Sequence, residues 1–457
     1  MSPSLLVGNS FAILVGALEL ARQGKPVTVL TDGKPLGGYF VGMSLEGFDF
    51  DAGMVVLERH VYPREAPDLQ TYDASVRYDW ARFGGLVDRW LGENIGMRRI
   101  PTVQCLVKGR QVPDYLISDR LEAFVGLDLR PPEVISRQDE YHPTHKIHSH
   151  VYDALSYAEA AQANHGEAIH LQFIEPFVRK LMGVSSEGFL ARYHRAAWAP
   201  LYFPETLASA MRGESHALAE TPYWVPPAGS VSRSVRDLHD LLAHMPNVNL
   251  VNEAVVSLKN EAGDWTAMLD GGARYSGGQL ALGLAPDRAR HLFGGKTSPH
   301  GAATTVTILF ALVRADVIRY SYGGLMVVDE AYASYRLTDQ DAMAGLSPEF
   351  HRVTIEASPE YLHRLHPGVT DEVALRNELM EIMEIEDDDA VRVLKCMVVK
   401  NVLVLPTVEL IADMRTAHAE LAELTPGAIL TSHLLGYGAA SLNEQIVQGL
   451  TIAETFS

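Results

Sequence analysis

Residues 4–32 read SLLVGNSFAILVGALELARQGKPVTVLTD. Residues 4–7 are short and mostly apolar, and Gly8 follows them, which is typical of a buried strand that ends in a tight turn. Apolar residues then recur at helical spacing over residues 11–20, and Gly24 stands where that helix would stop. Residues 26–30 are rich in β-branched side chains and predict a second strand. This order predicts a βαβ unit, and with it an α/β fold built on a parallel sheet.

The turn of this unit has the position of a phosphate-binding loop but not its residues. In dinucleotide-binding βαβ units, a Gly-x-Gly-x-x-Gly turn lets a diphosphate approach the helix N-terminus, and an acidic residue after the second strand binds a ribose. Gly8 is kept here, whereas Ser10 and Ile13 stand at the other two glycine positions. Thr31 stands at the acidic position, with Asp32 beside it. The sequence therefore predicts a dinucleotide-binding fold with an altered cofactor fingerprint.

Two further motifs carry a resemblance to a known family. Gly37 and Gly38 follow the second strand closely, and residues 50–53 read FDAG. On these residues the chain resembles the flavoprotein superfamily that includes amine oxidases, protoporphyrinogen oxidase, phytoene desaturases and UDP-galactopyranose mutase. Residues 436–445 and the helix after them are similar to that family's last flavin-contacting turn. The resemblance implies a Rossmann-like FAD/NAD(P)-binding domain with an interleaved α+β substrate domain, and FAD as the cofactor.

The same resemblance divides the chain into two interleaved lobes. Because segments of the two lobes alternate along the sequence, we expect them to fold as one body. The dinucleotide-binding domain is expected to comprise residues 1–60, 226–300 and 406–457, and the substrate domain residues 61–225 and 301–405.

The resemblance also implies site residues, carried over position by position. Tyr39 and Arg336 are the expected catalytic residues. Tyr39 is expected near the flavin ring, and its alternative role is a loop aromatic that covers the core. Arg336 is expected to face the substrate, and its alternative role is a structural ion pair. The residues expected to hold the cofactor are Gly8, Ser10, Thr31, Asp32, Gly37, Gly38, Val255, Ser441 and Leu442. The aromatic residues expected to line the substrate are Tyr202, Tyr223, Trp224, Tyr332 and Tyr335.

Four altered positions bear on whether FAD is held. Ser10 is small and its hydroxyl could donate to phosphate, but Ile13 must push the first helix away or fill the phosphate space. Thr31 accepts a ribose hydroxyl more weakly than a carboxylate does. No acid lies between Glu423 and Glu444, where the family has one for the ribityl chain. Each lost hydrogen bond to a charged group costs about 1.5–3 kcal/mol, so these changes weaken the expected binding.

Three functional hypotheses remain open on the sequence. The first is an FAD-dependent oxidoreductase of the amine oxidase or protoporphyrinogen oxidase type, which oxidises a small biosynthetic intermediate by hydride transfer to flavin. The second is a flavin-free relative with a non-redox or partner-binding role. The third is a flavin-dependent sugar-nucleotide mutase, whose diphosphate substrate would need Arg192, Arg195 and Arg336.

Composition limits the partners and the compartment. A net charge of −19 opposes binding to nucleic acid or to an anionic membrane, so a small-molecule substrate is expected, with a homodimer or a partner protein left open. Cys105 and Cys396 cannot form a disulfide framework, and a cytoplasmic location is expected. No metal site is predicted, because the histidines that lie close together have loop-like surroundings without Cys or an HExxH pattern: His142, His145, His148 and His150.

Overall fold

The computed structural model describes most of the chain. Tyr202, Arg192, Arg195 and the histidines of residues 142–150 lie outside the described residues. The described ranges are residues 2–57, 69–70, 77–78, 80–112, 155–191, 223–261, 263–295, 303–320 and 322–457.

Strands and helices alternate along the described ranges. The strands are β1 Ser4–Gly8, β2 Val27–Leu30, β3 Met43–Leu45, β4 Phe48–Phe50, β5 Leu69–Gln70, β6 Arg77–Tyr78, β7 Arg98–Arg99, β8 Gln104–Val107, β9 Arg110–Val112, β10 Trp224–Val225, β11 Val248–Val251, β12 Val255–Glu261, β13 Asp264–Leu269, β14 Arg274–Gly277, β15 Gln279–Gly283, β16 Val306–Arg314, β17 Gly324–Val327, β18 Ser334–Asp339, β19 Phe350–Ala357, β20 Val391–Val399 and β21 Ile429–Leu430. The α-helices are α1 Phe11–Arg22, α2 Trp80–Asn94, α3 Tyr157–Ile169, α4 Glu175–Met182, α5 Val231–Ala243, α6 Pro286–Leu292, α7 Gln340–Met343, α8 Pro359–Leu365, α9 Asp371–Ile382, α10 Val408–Leu424 and α11 Leu442–Thr455.

A five-stranded parallel sheet forms the first lobe. Its strand order is β11-β2-β1-β15-β21, and the predicted βαβ unit is confirmed as β1, α1 and β2. β1 lies between β2 and β15, with Leu5 opposite Leu280. Strands of this kind are apolar because helices cover both faces of the sheet. The chain order after β1 leads away to β2 and only later returns to β15, which opens a crevice at the carboxyl ends of these two strands.

A seven-stranded sheet of mostly antiparallel strands forms the second lobe. Its order is β20-β16-β19-β18-β17-β8-β9, and β17 pairs with β8 in parallel. One face packs on α8 and α9 through residues such as Val353, Ile355 and Leu379. The other face packs on α3 and α4 through Ile169 and Phe177. The alternation of side chains along each strand produces these two separate cores.

Helix α2 packs in the first lobe, although the expected boundaries put residues 61–225 in the substrate domain. The ring of Trp90 lies edge-on to Phe11 of α1, with centroids 5.9 Å apart. Its indole N–H donates to the carboxylate of Glu19 at 3.1 Å. A buried apolar surface on α2 therefore covers α1, and this helix packs in the core of the first lobe.

A buried polar network joins the two lobes. Asp51 accepts hydrogen bonds from the backbone N–H groups of Val231 at 2.9 Å and Ser232 at 2.7 Å, at the N-terminus of α5. Burial raises the pKa of Asp51, and those two bonds oppose the rise. Arg352 of β19 donates to the carbonyl oxygens of Asp49 and Ala228, which belong to the first lobe's connections. The network fixes β19 against the start of α5.

Lys180 of α4 is a buried amine with an unusual titration. It is fully buried, and its Nζ donates to the carbonyl oxygens of Val327 at 2.9 Å and Asp329 at 2.8 Å, which anchors α4 to the end of β17. Burial lowers its pKa to about 7, against the opposing pull of the Glu378 and Asp329 carboxylates.

This pKa predicts a stability that rises with pH. Between about pH 7 and the ordinary lysine pKa of 10.5, the unfolded chain binds a proton that the folded chain does not, so the free energy of unfolding should increase as pH rises through this window. Urea denaturation at pH 7 and pH 9.5 should show this increase in the wild type and a smaller one in Lys180→Met. Equal increases in both proteins would contradict the assignment.

Membrane-spanning helices and metal-binding clusters are both absent from the described ranges. No helix there combines the length and apolarity needed to cross a bilayer. No group of three or more His, Cys, Asp or Glu side chains there is arranged to hold a metal ion. The crevice at the parallel sheet lies at the carboxyl ends of β1 and β15, where open α/β sheets bind their ligands.

Candidate functional site

The crevice begins at the turn between β1 and α1. Gly8 has φ 125°, and a side chain there would collide with the backbone oxygen of Gly283 on β15. Glycine is required because the conformation is left-handed and the two strands approach closely. This turn therefore has the shape expected of a dinucleotide-binding fold.

Two of the first N–H groups of α1, those of Ala12 and Ile13, are bonded within the protein. Ser10 caps the helix, and its hydroxyl accepts the N–H of Ile13 at 3.4 Å. The N–H of Ala12 donates to the side-chain carbonyl of Gln445 at 3.2 Å, and Gln445 is held in turn by the carbonyl of Ala440. These are the donors that a diphosphate would use at a helix N-terminus. In this chain Gln445 of the last helix, α11, accepts the N–H of Ala12, and the Ser10 cap accepts that of Ile13.

Ile13 is accommodated without displacing the helix. Its side chain is fully buried and lies against Gly283, where an added Cβ would collide with the Ile13 side chain and the Ser10 hydroxyl. Of the two expected outcomes, displacement of α1 or filling of the phosphate space, the structure shows Ile13 packed against a glycine of the neighbouring strand. Thr431, which follows β21, borders the same point and donates its hydroxyl to the carbonyl of Leu282 at 2.9 Å.

The acidic end of the crevice is closed by an ion pair. Asp32 is held in the left-handed region, with φ 58°, and its side chain is 4% exposed. Arg288 of α6 donates to both carboxylate oxygens, at 2.7 and 2.6 Å, and also to the carbonyl of Val255. The N–H of Val255 donates to Asp32 at 3.0 Å. Thr31 donates its hydroxyl to Asn252 at 2.7 Å. Every one of these expected adenosine contacts has an internal partner.

The opposite end of the crevice is formed by the glycine pair and Tyr39. Gly37 has φ 118°, and its N–H donates to the carbonyl of Asn9 at 2.8 Å, which places the loop on the β1–α1 turn. Gly38 lies beside the Ser10 backbone. Tyr39 is 69% exposed, and its ring lies edge-on to His433 with centroids 6.0 Å apart. Tyr39 therefore extends along the carboxyl edge of the sheet towards the end of β21.

His433 was not among the expected site residues. Its Nε2 is buried and has no hydrogen-bond partner within the described part of the chain. Burial lowers the pKa of this imidazole, which keeps the ring neutral near pH 7. A neutral imidazole beside an exposed tyrosine ring offers a ligand one polar contact and one aromatic surface.

Ser441 and Leu442 lie at the start of α11. The Ser441 hydroxyl accepts the N–H of Glu444 at 3.3 Å and donates to its carboxylate at 2.7 Å, forming an N-cap. Leu442 is buried in the core shared with α1. The cap fixes the helix start in the place that the resemblance assigns to the last turn of the family.

Arg336 is engaged with an acid on the next strand. Its guanidinium donates to both carboxylate oxygens of Glu356, at 2.6 and 2.8 Å, and the two side chains are 12% and 6% exposed. The Tyr335 hydroxyl also donates to Glu356, at 3.4 Å. Glu356 presses against Gly53, where a side chain would collide with its carboxylate. The structure thus places Arg336 between the lobes as part of an ion pair.

The expected aromatic wall is not assembled in one place. Tyr332 donates to Glu381 of α9 and packs in the core on that side of the large sheet, whereas Tyr335 is buried in the core on the other side. Tyr223 is buried in the same core as Tyr335, and Trp224 pairs through its backbone with Leu57. Sequence spacing alone could not separate these residues, because the sheet itself divides them. Tyr202 lies outside the described residues.

FAD, which the resemblance implies, does not fit the residues of the crevice. The helix donors for its diphosphate are bonded to Ser10 and Gln445. The carboxylate for its ribose and the Val255 peptide beside its adenine are bonded to Arg288. Gln445 and Arg288 were not found from the sequence, because they lie 433 residues from Ala12 and 256 residues from Asp32 along the chain. Gly283, at the end of β15 and opposite the turn, is the sequence signal that could have indicated how Ile13 is packed.

The chain shares its fold with solved structures of amine oxidases and of UDP-galactopyranose mutase. Solved structures with the same fold match almost the whole chain at low identity. A reduced UDP-galactopyranose mutase is 13% identical with a TM-score of 0.67, covering 99% of this chain and 95% of its own. Cyclohexylamine oxidase from Brevibacterium oxydans IH-35A is 14% identical with a TM-score of 0.61, covering 100% and 99%.

Putrescine oxidase with bound putrescine is 12% identical to this chain, with a TM-score of 0.59, and the match covers 100% of this chain and 99% of that one. No protein-family model matches the sequence, and no curated protein does either. At these identities the likeness establishes the fold and its layout.

Proposed function

We propose that this chain is a flavin-free member of the fold, with a non-redox role in which the crevice binds a small molecule that lacks a diphosphate. The observation that carries the proposal is the closed N-terminus of α1, where Gln445 accepts the N–H of Ala12 and Ser10 accepts that of Ile13. A helix N-terminus attracts a phosphate through N–H groups that have no other partner. Here a diphosphate would have to displace side chains of the protein.

Energetics support the same conclusion. Binding FAD would require Asp32 and Arg288 to separate, and leaving a buried charge without its partner costs about 3–5 kcal/mol. The displaced helix bonds add about 0.5–1.5 kcal/mol each. Together these terms would weaken binding by several powers of ten. The remaining contacts, Tyr39 and His433, suit a smaller and uncharged ligand.

The proposal predicts a colourless protein. Purified wild type should show no flavin absorbance in the visible range, and it should show none after incubation with excess FAD followed by desalting. A protein kept in FAD without desalting serves as the control for the spectrum itself. Yellow protein that retains its absorbance through desalting would contradict the proposal.

A second candidate function is supported by the fold and by the other end of the crevice. It is an FAD-dependent oxidoreductase of the amine oxidase or protoporphyrinogen oxidase type, acting on a small biosynthetic intermediate. The left-handed Gly37 and the capped start of α11 at Ser441 support it. In this case the retained absorbance would also bleach when a substrate amine is added without oxygen. Bleaching of this kind would favour the oxidoreductase over a flavin held without turnover.

A further inference from the structure

We infer that Arg288 is the residue that excludes adenosine-containing ligands from this crevice. The inference deepens the proposed function and rests on it, since it assigns the loss of nucleotide binding at one end of the site to one side chain. Arg288 lies on α6, directly after the strand β15 that borders the crevice.

Arg288, Asp32 and Val255 form a closed ring of hydrogen bonds. The guanidinium donates through Nε and Nη2 to the two carboxylate oxygens of Asp32, at 2.7 and 2.6 Å. The same Nη2 donates to the Val255 carbonyl, and the Val255 N–H donates back to Asp32 at 3.0 Å. Asp32 is 4% exposed and Arg288 29%, so the ring is closed on the protein side and only partly open to solvent.

This ring copies the hydrogen-bonding pattern of adenine. An adenine edge carries an amino donor next to a ring-nitrogen acceptor, and it can pair with the backbone C=O and N–H of a single residue. Arg288 supplies the donor for the Val255 carbonyl, and Asp32 supplies the acceptor for the Val255 N–H. A purine and the Arg288 guanidinium therefore compete for the backbone edge of Val255.

The ring also uses the carboxylate that a ribose would need. Ribose hydroxyls donate to an acidic residue after the second strand in dinucleotide-binding folds. Thr31 is already bonded to Asn252, which leaves Asp32 as the carboxylate at this end of the crevice. Removing Arg288 would free the Asp32 carboxylate and the Val255 carbonyl together, which are an acceptor for ribose and an acceptor for the adenine amino group.

The test is isothermal titration calorimetry with adenosine and with AMP. Wild type should give no binding heat, whereas Arg288→Ala should bind adenosine with a dissociation constant on the order of 1 mM or tighter. The double variant Asp32→Asn, Arg288→Ala should bind adenosine at least about tenfold more weakly than Arg288→Ala, because the amide is a weaker ribose acceptor. Binding of adenosine by wild type would overturn the inference. So would a folded Arg288→Ala protein that binds neither ligand.

A second variant keeps the test decisive if Arg288→Ala does not fold. Arg288→Lys retains a positive charge beside Asp32 but cannot contact both carboxylate oxygens and the Val255 carbonyl at once. It should fold and give measurable adenosine binding where wild type gives none, and the absence of binding would overturn the inference. Circular dichroism verifies the fold of each variant. A yellow wild type defeats the proposed function, whereas a colourless wild type with non-binding variants defeats this inference alone.

Discussion

Replacing Arg352 with methionine should lower the free energy of unfolding by about 3–5 kcal/mol. The guanidinium is paired with the Asp341 carboxylate, whose side chain is 4% exposed, and it donates to the carbonyl oxygens of Asp49 and Ala228 in the other lobe. Methionine keeps most of the volume but leaves the Asp341 carboxylate buried without its cation. The same change removes the positive charge that helps to keep Asp51 ionised. Urea denaturation followed by circular dichroism would measure the loss.

Arg314→Met is the matched control for this change. Arg314 lies on β16 of the same sheet and pairs with Asp316 and Asp387, but all three side chains are at least 35% exposed. Exposed pairs of this kind contribute about 0–1 kcal/mol, so the control should lose little stability. A loss below about 1 kcal/mol in Arg352→Met would show that the network does not hold the lobes together.

Gly283→Ala should lower the free energy of unfolding by about 1–3 kcal/mol, and part of that loss should disappear when Ile13 is also shortened. The added Cβ would collide with the Ile13 side chain and the Ser10 hydroxyl. In Ile13→Ala the side-chain atoms that collide with the added Cβ are removed, whereas the Ser10 hydroxyl stays in place. The two changes are therefore expected to be coupled by at least about 0.5 kcal/mol in a double-mutant cycle. Thermal and urea unfolding of wild type, both single variants and the double variant give the cycle.

Gly92→Ala on α2 is the control glycine. A Cβ at this position meets no atom within 4 Å, and the residue is in a helix, so alanine should leave stability unchanged or raise it slightly. Strict additivity between Gly283→Ala and Ile13→Ala would mean that Gly283 does not provide the space for Ile13. That result would reopen the question of how the altered turn is packed.

Most of the first lobe follows from local sequence. The pattern of residues 4–32 predicts β1, α1 and β2, and the structure places all three within two residues of the expected ends. The helix expected after residues 436–445 is present as α11. Hydrophobic periodicity and turn-forming residues are sufficient to predict these elements, because a buried parallel strand is an apolar run and a helix has a 3.6-residue repeat. The grouping of Tyr332 with Tyr335 failed, because nearness in sequence does not show which face of a sheet a residue occupies.

The sequence by itself determined the fold class and the loss of the glycine and acidic residues that a dinucleotide needs. Tertiary structure alone decided what replaced them: Gln445 at the helix donors, Arg288 at Asp32, and Gly283 beside Ile13. The physical reason is the distance along the chain over which each kind of interaction acts. Secondary structure depends on residues within a few positions of one another, whereas hydrogen bonds and packing in the crevice join segments that come together only when the sheet forms.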